Sequence, residues 1–118
     1  MEAEYSALSE AMKDILPMRI LYKELLSALQ QDTTKKATFK TTVWEDNTGC
    51  LTLAKLEPGR QTPRSKFYAL KMHWFRSKLK PNEIEIEKIE TAEQQADILT
   101  KALRGEHFRQ MRKLLCGW

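Results

Sequence analysis

Three carboxylates, Glu4, Asp46 and Asp97, are the residues of this chain with the strongest claim to chemistry. Asp97 stands inside Gln94-Gln95-Ala96-Asp97-Ile98-Leu99-Thr100-Lys101-Ala102-Leu103, a stretch that otherwise looks built for helix packing. A carboxylate beside an apolar stripe needs a partner or a metal. Glu4 and Asp46 occupy positions of the same kind, and three acids arriving from separate elements would make a metal-binding cluster. Two divalent cations about 4 Å apart, which activate a water and stabilise a leaving oxygen, are held only by several oxygen ligands converging from different elements. Each acid also has a simpler reading. Asp97 can pair with Lys101 four residues on, Asp46 can cap the next helix, and Glu4 can favour a helix N-terminus.

The elements that must position these acids can be read from periodicity. From Ala3 to about Gln30, Leu8, Ala11, Ile15, Met18, Tyr22, Leu25 and Leu29 recur at alternating spacings of three and four, which predicts one long amphipathic helix. Pro17 should bend or divide it. One further step of four backwards reaches Glu4, so the period favours Glu4 over Glu2 as the inward acid. Gln31–Lys36 reads as a loop, and Thr38–Trp44, rich in β-branched and aromatic residues, as a strand. Glu45-Asp46-Asn47-Thr48-Gly49 supplies turn and capping residues before a short helix over Cys50–Leu56. Asp46 thus lies where a strand ends and a helix begins, a frequent place for functional groups in α/β folds. Glu45 should point to the other side.

A loop over 57–63 precedes a basic helix predicted from about Ser65 to Leu79, ended by Pro81-Asn82. Glu83–Ile89 alternates apolar and charged residues, as a strand with one buried face does. Thr91-Ala92-Glu93-Gln94 matches a capping box and predicts a helix whose stripe is Ala92, Ala96, Leu99 and Leu103, with Asp97 on its flank. A last basic helix runs through Phe108, Met111, Leu114 and Leu115.

Length and composition fit a single domain over 1–118, long enough to bury a real core. Hydrophobic residues at 42% and charged residues at 31% exclude a disordered tail. Cys50 and Cys116 lack CxxC or Cys/His spacing, so neither zinc nor a disulfide framework is expected, and reduced thiols in an intracellular compartment are. No apolar run approaches membrane-spanning length and the N-terminus is acidic, so the chain reads as soluble and untargeted, with no membrane partner. The net charge of +4 is concentrated: no acid lies between Glu57 and Glu83, where Arg60, Arg64, Lys66, Lys71, Arg76, Lys78 and Lys80 interleave with aromatic residues. Arg64, Lys66, Lys71, Arg76 and Lys78 are candidate phosphate contacts, whereas Trp74 and Phe75 are expected in the core.

Three blocks carry a resemblance: Glu2-Ala3-Glu4-Tyr5-Ser6-Ala7-Leu8-Ser9-Glu10-Ala11, Val43-Trp44-Glu45-Asp46-Asn47, and Ala96-Asp97-Ile98-Leu99-Thr100-Lys101-Ala102-Leu103. In that order, with Arg64-Ser65-Lys66 and Lys71-Met72-His73-Trp74-Phe75-Arg76 between, the chain resembles the ribonuclease H domain at the C-terminus of copia-type retrotransposon polyproteins. The resemblance implies a ribonuclease H-like fold, truncated at its N-terminus, with a remnant mixed sheet packed with helices. It implies an endonuclease ancestry: hydrolysis of the RNA strand of RNA–DNA hybrids during reverse transcription, with Mg²⁺ or Mn²⁺ held by Glu4, Asp46 and Asp97 as metal ligands and catalytic acids. The implied partners are the hybrid and the reverse transcriptase remainder of the polyprotein, in a cytoplasmic particle or the nucleus. The family's first catalytic aspartate, on an opening strand, finds no match in the chain. Thr48 stands where glutamine is common, and Phe67 and Ala69 where histidine and aspartate are common. A non-catalytic nucleic-acid-binding remnant and a decayed gene fragment are the alternatives.

Overall fold

The computed structural model describes residues 2–30, 38–56 and 69–118. Helix α1 spans Glu2–Leu29, strand β1 Thr41–Glu45, α2 Thr48–Lys55, α3 Ala69–Lys78, β2 Ile84–Lys88 and α4 Gly105–Cys116. Two 3-10 turns, Thr91–Glu93 and Gln95–Leu99, stand between β2 and α4. The architecture is α/β. β1 and β2 pair in parallel, Thr41 opposite Ile84 and Glu45 opposite Lys88, and they are the two strands of the sheet among the described residues. Parallel strands cannot be joined by a tight hairpin; here α2 and α3 lie within the connection.

β2 forms as its alternation predicts. Ile84 and Ile86 are buried, while Glu85 and Glu87 face outward and both pair with Lys40, which precedes β1. The strand predicted over Thr38–Trp44 starts later, at Thr41, and runs on to Glu45. Isoleucines from β2 meet Cys50, Leu51, Leu53 and Ala54 of α2, Met72 and Phe75 of α3, and Tyr5, Leu8 and Met12 of α1 in one core. Phe75 is fully buried and Trp74 packs against the core from its edge, as the sequence predicts. The predicted loops over 31–36 and 57–63 and the first turn of the basic helix, from Ser65, fall outside the described residues.

Helix α1 is as long as predicted and continues through Pro17 without dividing. Its buried face is not the predicted one. Tyr5, Leu8, Ser9 and Met12 are buried, whereas Ala11 is exposed and Met18, Tyr22, Leu25 and Leu29 are largely open to solvent. The physical reason is the period. A stripe repeating every seven residues drifts by about 20° per heptad on a straight helix of 3.6 residues per turn. Over three heptads it walks off the surface that the first turns bury.

The helix predicted around Asp97 is the larger correction. Residues 91–99 make two short 3-10 turns, and the capping box does not close: no side chain caps Thr91–Glu93. Gln94, which should reach back to the first turn, instead donates through Nε2 to the Trp44 carbonyl of β1, at 3.4 Å. Its backbone is extended, at φ −68° and ψ 102°. A tertiary bond to the end of β1 has displaced the local one. As a result Leu99, predicted on the stripe, is 77% exposed, and Asp97, predicted on the flank, is only 7% exposed.

Candidate active site

The three sequence-predicted acids come to one end of the sheet by three routes. Asp46 follows the last residue of β1, Asp97 follows β2 by way of the 3-10 turns, and Glu4 lies in the first turn of α1. The carboxyl ends of parallel strands are where open α/β sheets place ligands, because the backbone is fixed there and the rim stays uncovered. Asn47 organises this end. Its side-chain oxygen accepts from the Cys50 amide at 3.0 Å, capping α2, while its Nδ2 donates to Glu4 Oε1 at 3.2 Å. Its backbone N–H donates to Glu45 Oε1 at 2.9 Å. The cap of α2 is thus Asn47, and Asp46 is released from the role that the simpler reading gave it.

Asp97 is paired with a cation, and Asp46 lies near enough for its charge to act on the same group. Lys101 Nζ donates to Asp97 Oδ2 at 2.8 Å, the pairing at a spacing of four that the sequence allows. The Lys101 ammonium is held protonated beyond its ordinary range, first by this hydrogen bond and then by the charges of Asp97 and Asp46. Glu4 and Glu45 stand together on the other side of Asn47, close enough that both raise the pKa of the Cys50 thiol. Burial is the larger cause, and together they push that thiol up to about 12. The site therefore has two halves: Asp46 and Asp97 around Lys101, and Glu4 and Glu45 around Asn47. Among the described residues, no three acid, histidine or cysteine side chains converge closely enough to hold a metal ion. The donor chemistry is that of a hard divalent cation, all carboxylate oxygen, but the Lys101 ammonium is already bonded to Asp97.

Asn47, which the sequence offers only among several turn and capping residues, and Glu45, expected to point to the other side, both belong to the site. Asn47 could have been found: asparagine is among the strongest N-cap residues, and it sits three before Cys50. Burial of Glu45, 7% exposed, gives no signal in a run of polar residues. Tyr5 completes the floor, its hydroxyl donating to the Cys50 carbonyl at 2.8 Å, and burial raises its pKa.

The candidate phosphate contacts divide. Lys71 is exposed beside Ser6, its Nζ 3.4 Å from Oγ, which places it near the same end of α1 as Glu4. Lys78 lies over the Trp74 ring at 5.9 Å. Arg76 turns inward and donates to the Leu56 carbonyl at 3.1 Å, tying α3 to the end of α2. Arg64 and Lys66 lie outside the described residues. His107 Nε2 meets the Ala92 carbonyl at 3.0 Å, joining α4 to the first 3-10 turn. Among the described residues no helix is long and apolar enough to cross a membrane.

No protein-family model matches the chain, and no solved structure gives a significant match.

Proposed function

We propose that this chain is the C-terminal part of a ribonuclease H domain of the copia-type retrotransposon class. On this reading the fold is ribonuclease H-like, and the parent activity is metal-dependent hydrolysis of RNA in an RNA–DNA hybrid during reverse transcription. The observation that carries the reading is the placement of Asp46 and Asp97 after two adjacent parallel strands, with Lys101 bonded to Asp97 and Asp46 near enough for its charge to act on the same ammonium. Glu4, one asparagine away, supplies a third carboxylate at the same rim. These are the three acids that the resemblance picks out, and they lie far apart in sequence. When bound, Mg²⁺ or Mn²⁺ would supply an activated water and charge stabilisation at the departing oxygen. Asp97 and Asp46 are the pair that would hold it, and Glu4 would have to leave Asn47 to join them, because the three do not converge on one point as they stand. Lys101 must first leave Asp97, and Lys71 offers a phosphate contact beside Glu4.

The position of Lys101 favours one alternative, a chain that binds the hybrid without cutting it, because its ammonium already occupies the Asp97 carboxylate. Cleavage of a labelled hybrid in Mg²⁺ or Mn²⁺, by the chain and by its Asp46→Asn and Asp97→Asn variants, distinguishes the two. A working site gives cleavage that both variants lose. Salt-sensitive binding without cleavage, weakened in Lys71→Ala, points to the remnant. In either case a Lys101→Ala variant should gain thermal stability on addition of Mg²⁺ by more than the parent chain does. Equal response of the two would remove Asp46 and Asp97 as a cation site.

A further inference from the structure

A second charged feature lies at the opposite end of the sheet from the acids. Where the two strands begin, α1, the end of α3 and the turn between α3 and β2 enclose a pocket of about 810 Å³. Four cations line it, Arg19 and Lys23 of α1, Lys78 of α3 and Lys80 of the turn, against one carboxylate, Glu83. They arrive from three elements, and no carboxylate of the described residues pairs with any of them. Like charges gathered around one cavity repel, and an anion among them removes that cost. Arg19 is oriented in advance. Its Nη1 donates to the Thr41 hydroxyl and the Glu83 carbonyl, both neutral, so the guanidinium keeps its whole charge. Nε and Nη2 make no hydrogen bond among the described residues, and the guanidinium lies over the Phe39 ring, 4.5 Å from its centroid. Lys80 is fixed by paired backbone bonds with Ile84, its N–H donating at 2.9 Å and its carbonyl accepting at 3.0 Å. Between them the chain reverses at Asn82, whose φ of 61° lies in the left-handed region that asparagine tolerates.

We propose that this pocket binds a nucleoside phosphate, free or as one unit of a single strand. The phosphate pairs with Lys23, Lys80 and the spare donors of Arg19, and the base lies against the Arg19–Phe39 stack and the apolar lining of Leu16, Ile20 and Ile84. An inorganic ion would use the charges alone, whereas a base also uses a planar guanidinium or aromatic surface. A lipid phosphate would leave idle the hydroxyl and amide groups of Thr38, Ser77 and Asn82, which line the same pocket and suit the polar edges of base and ribose. The volume falls within the roughly 300–1,000 Å³ of small-ligand sites. The proposal does not rest on the nuclease reading, because the acids lie beyond the far ends of strands of five residues, roughly 16 Å long.

Amide NMR spectra of the full chain, titrated with adenosine monophosphate to about 10 mM, where millimolar affinity is visible, test it. Resonances of Arg19, Lys23, Phe39, Lys80 and Asn82 should shift and saturate, and adenosine or inorganic phosphate alone at the same concentration should move them far less. Lys23→Ala and Lys80→Ala, both at exposed positions, should each weaken binding roughly tenfold, whereas Lys113→Ala, exposed on α4, should leave it unchanged. A single-stranded oligoadenylate of about 12 nucleotides tells the sources apart. Tighter binding than the mononucleotide at the same amides assigns the pocket to a strand, and equal or weaker binding assigns it to a free nucleotide. No shift at these amides with either ligand overturns the proposal, as does a response that inorganic phosphate reproduces or that both lysine variants retain. If a variant loses its folded spectrum, the contrast between the nucleotide and inorganic phosphate on the unmodified chain decides.

Discussion

Asn47 concentrates more of the site in one side chain than any of the acids does. It caps α2, holds Glu4 and fixes Glu45 through its own backbone N–H. Asn47→Ala should cost about 1–2 kcal/mol, at the upper side of ordinary cap losses because a second bond goes with it. Asn47→Asp keeps the capping oxygen but sets a carboxylate against Glu4, so it should recover only part of the loss; urea midpoints of the three proteins measure both effects. Cys50 makes a different prediction. Burial, then the charges of Glu45 and Glu4, raise its thiol from the ordinary 9.0 to about 12. The folded chain therefore keeps a proton that the unfolded chain gives up above pH 9. The stability linked to this proton is whole below that pH and is lost as pH rises toward about 12. Tyr5, whose pKa burial also raises, acts in the same direction. Melting temperature should fall across this window, and less steeply in Cys50→Ala. At neutral pH a disulfide reagent should modify the exposed Cys116 in the folded chain and reach Cys50 only after denaturation.

At the scale of elements, β2 and the segment after it show what the sequence can and cannot convey. The alternation of Ile84, Glu85, Ile86 and Glu87 was legible because the rule is local: adjacent side chains take opposite faces, and one face is buried. The segment from Thr91 to Leu103 also carries a strong local pattern, and it misleads. Gln94 serves β1 through the Trp44 carbonyl, so the helix that its capping box announces gives way to 3-10 turns. That bond links residues 50 apart in sequence, and no local pattern contains it. The same holds for Lys101, whose pairing with Asp97 is local while its proximity to Asp46 is not. Stability measurements separate the two pictures. Leu99→Ala should change unfolding free energy by no more than about 0.5 kcal/mol, as expected of an exposed position. Ile86→Ala, in the closed core, should cost about 2–4 kcal/mol. A large loss at Leu99 would restore the helix stripe.

For the whole molecule, the class was easier to read from the sequence than the arrangement, since α/β follows from strands alternating with helices. The face of α1 that meets the core was hidden because two apolar patterns overlap on it, one set at Tyr5, Leu8 and Met12 and another continuing to Leu29. The parallel pairing of β1 with β2 has a last consequence, in time instead of space. Thr41 finds its neighbour in Ile84, about forty residues later. At a synthesis rate of about 5–20 residues per second, β1 leaves the ribosome roughly 2–8 s before β2 exists to receive it. During that interval, among the described elements, helices α1, α2 and α3 are made and β2 is not, so the order in which the chain is made lets these helices form first and closes this pair of strands last.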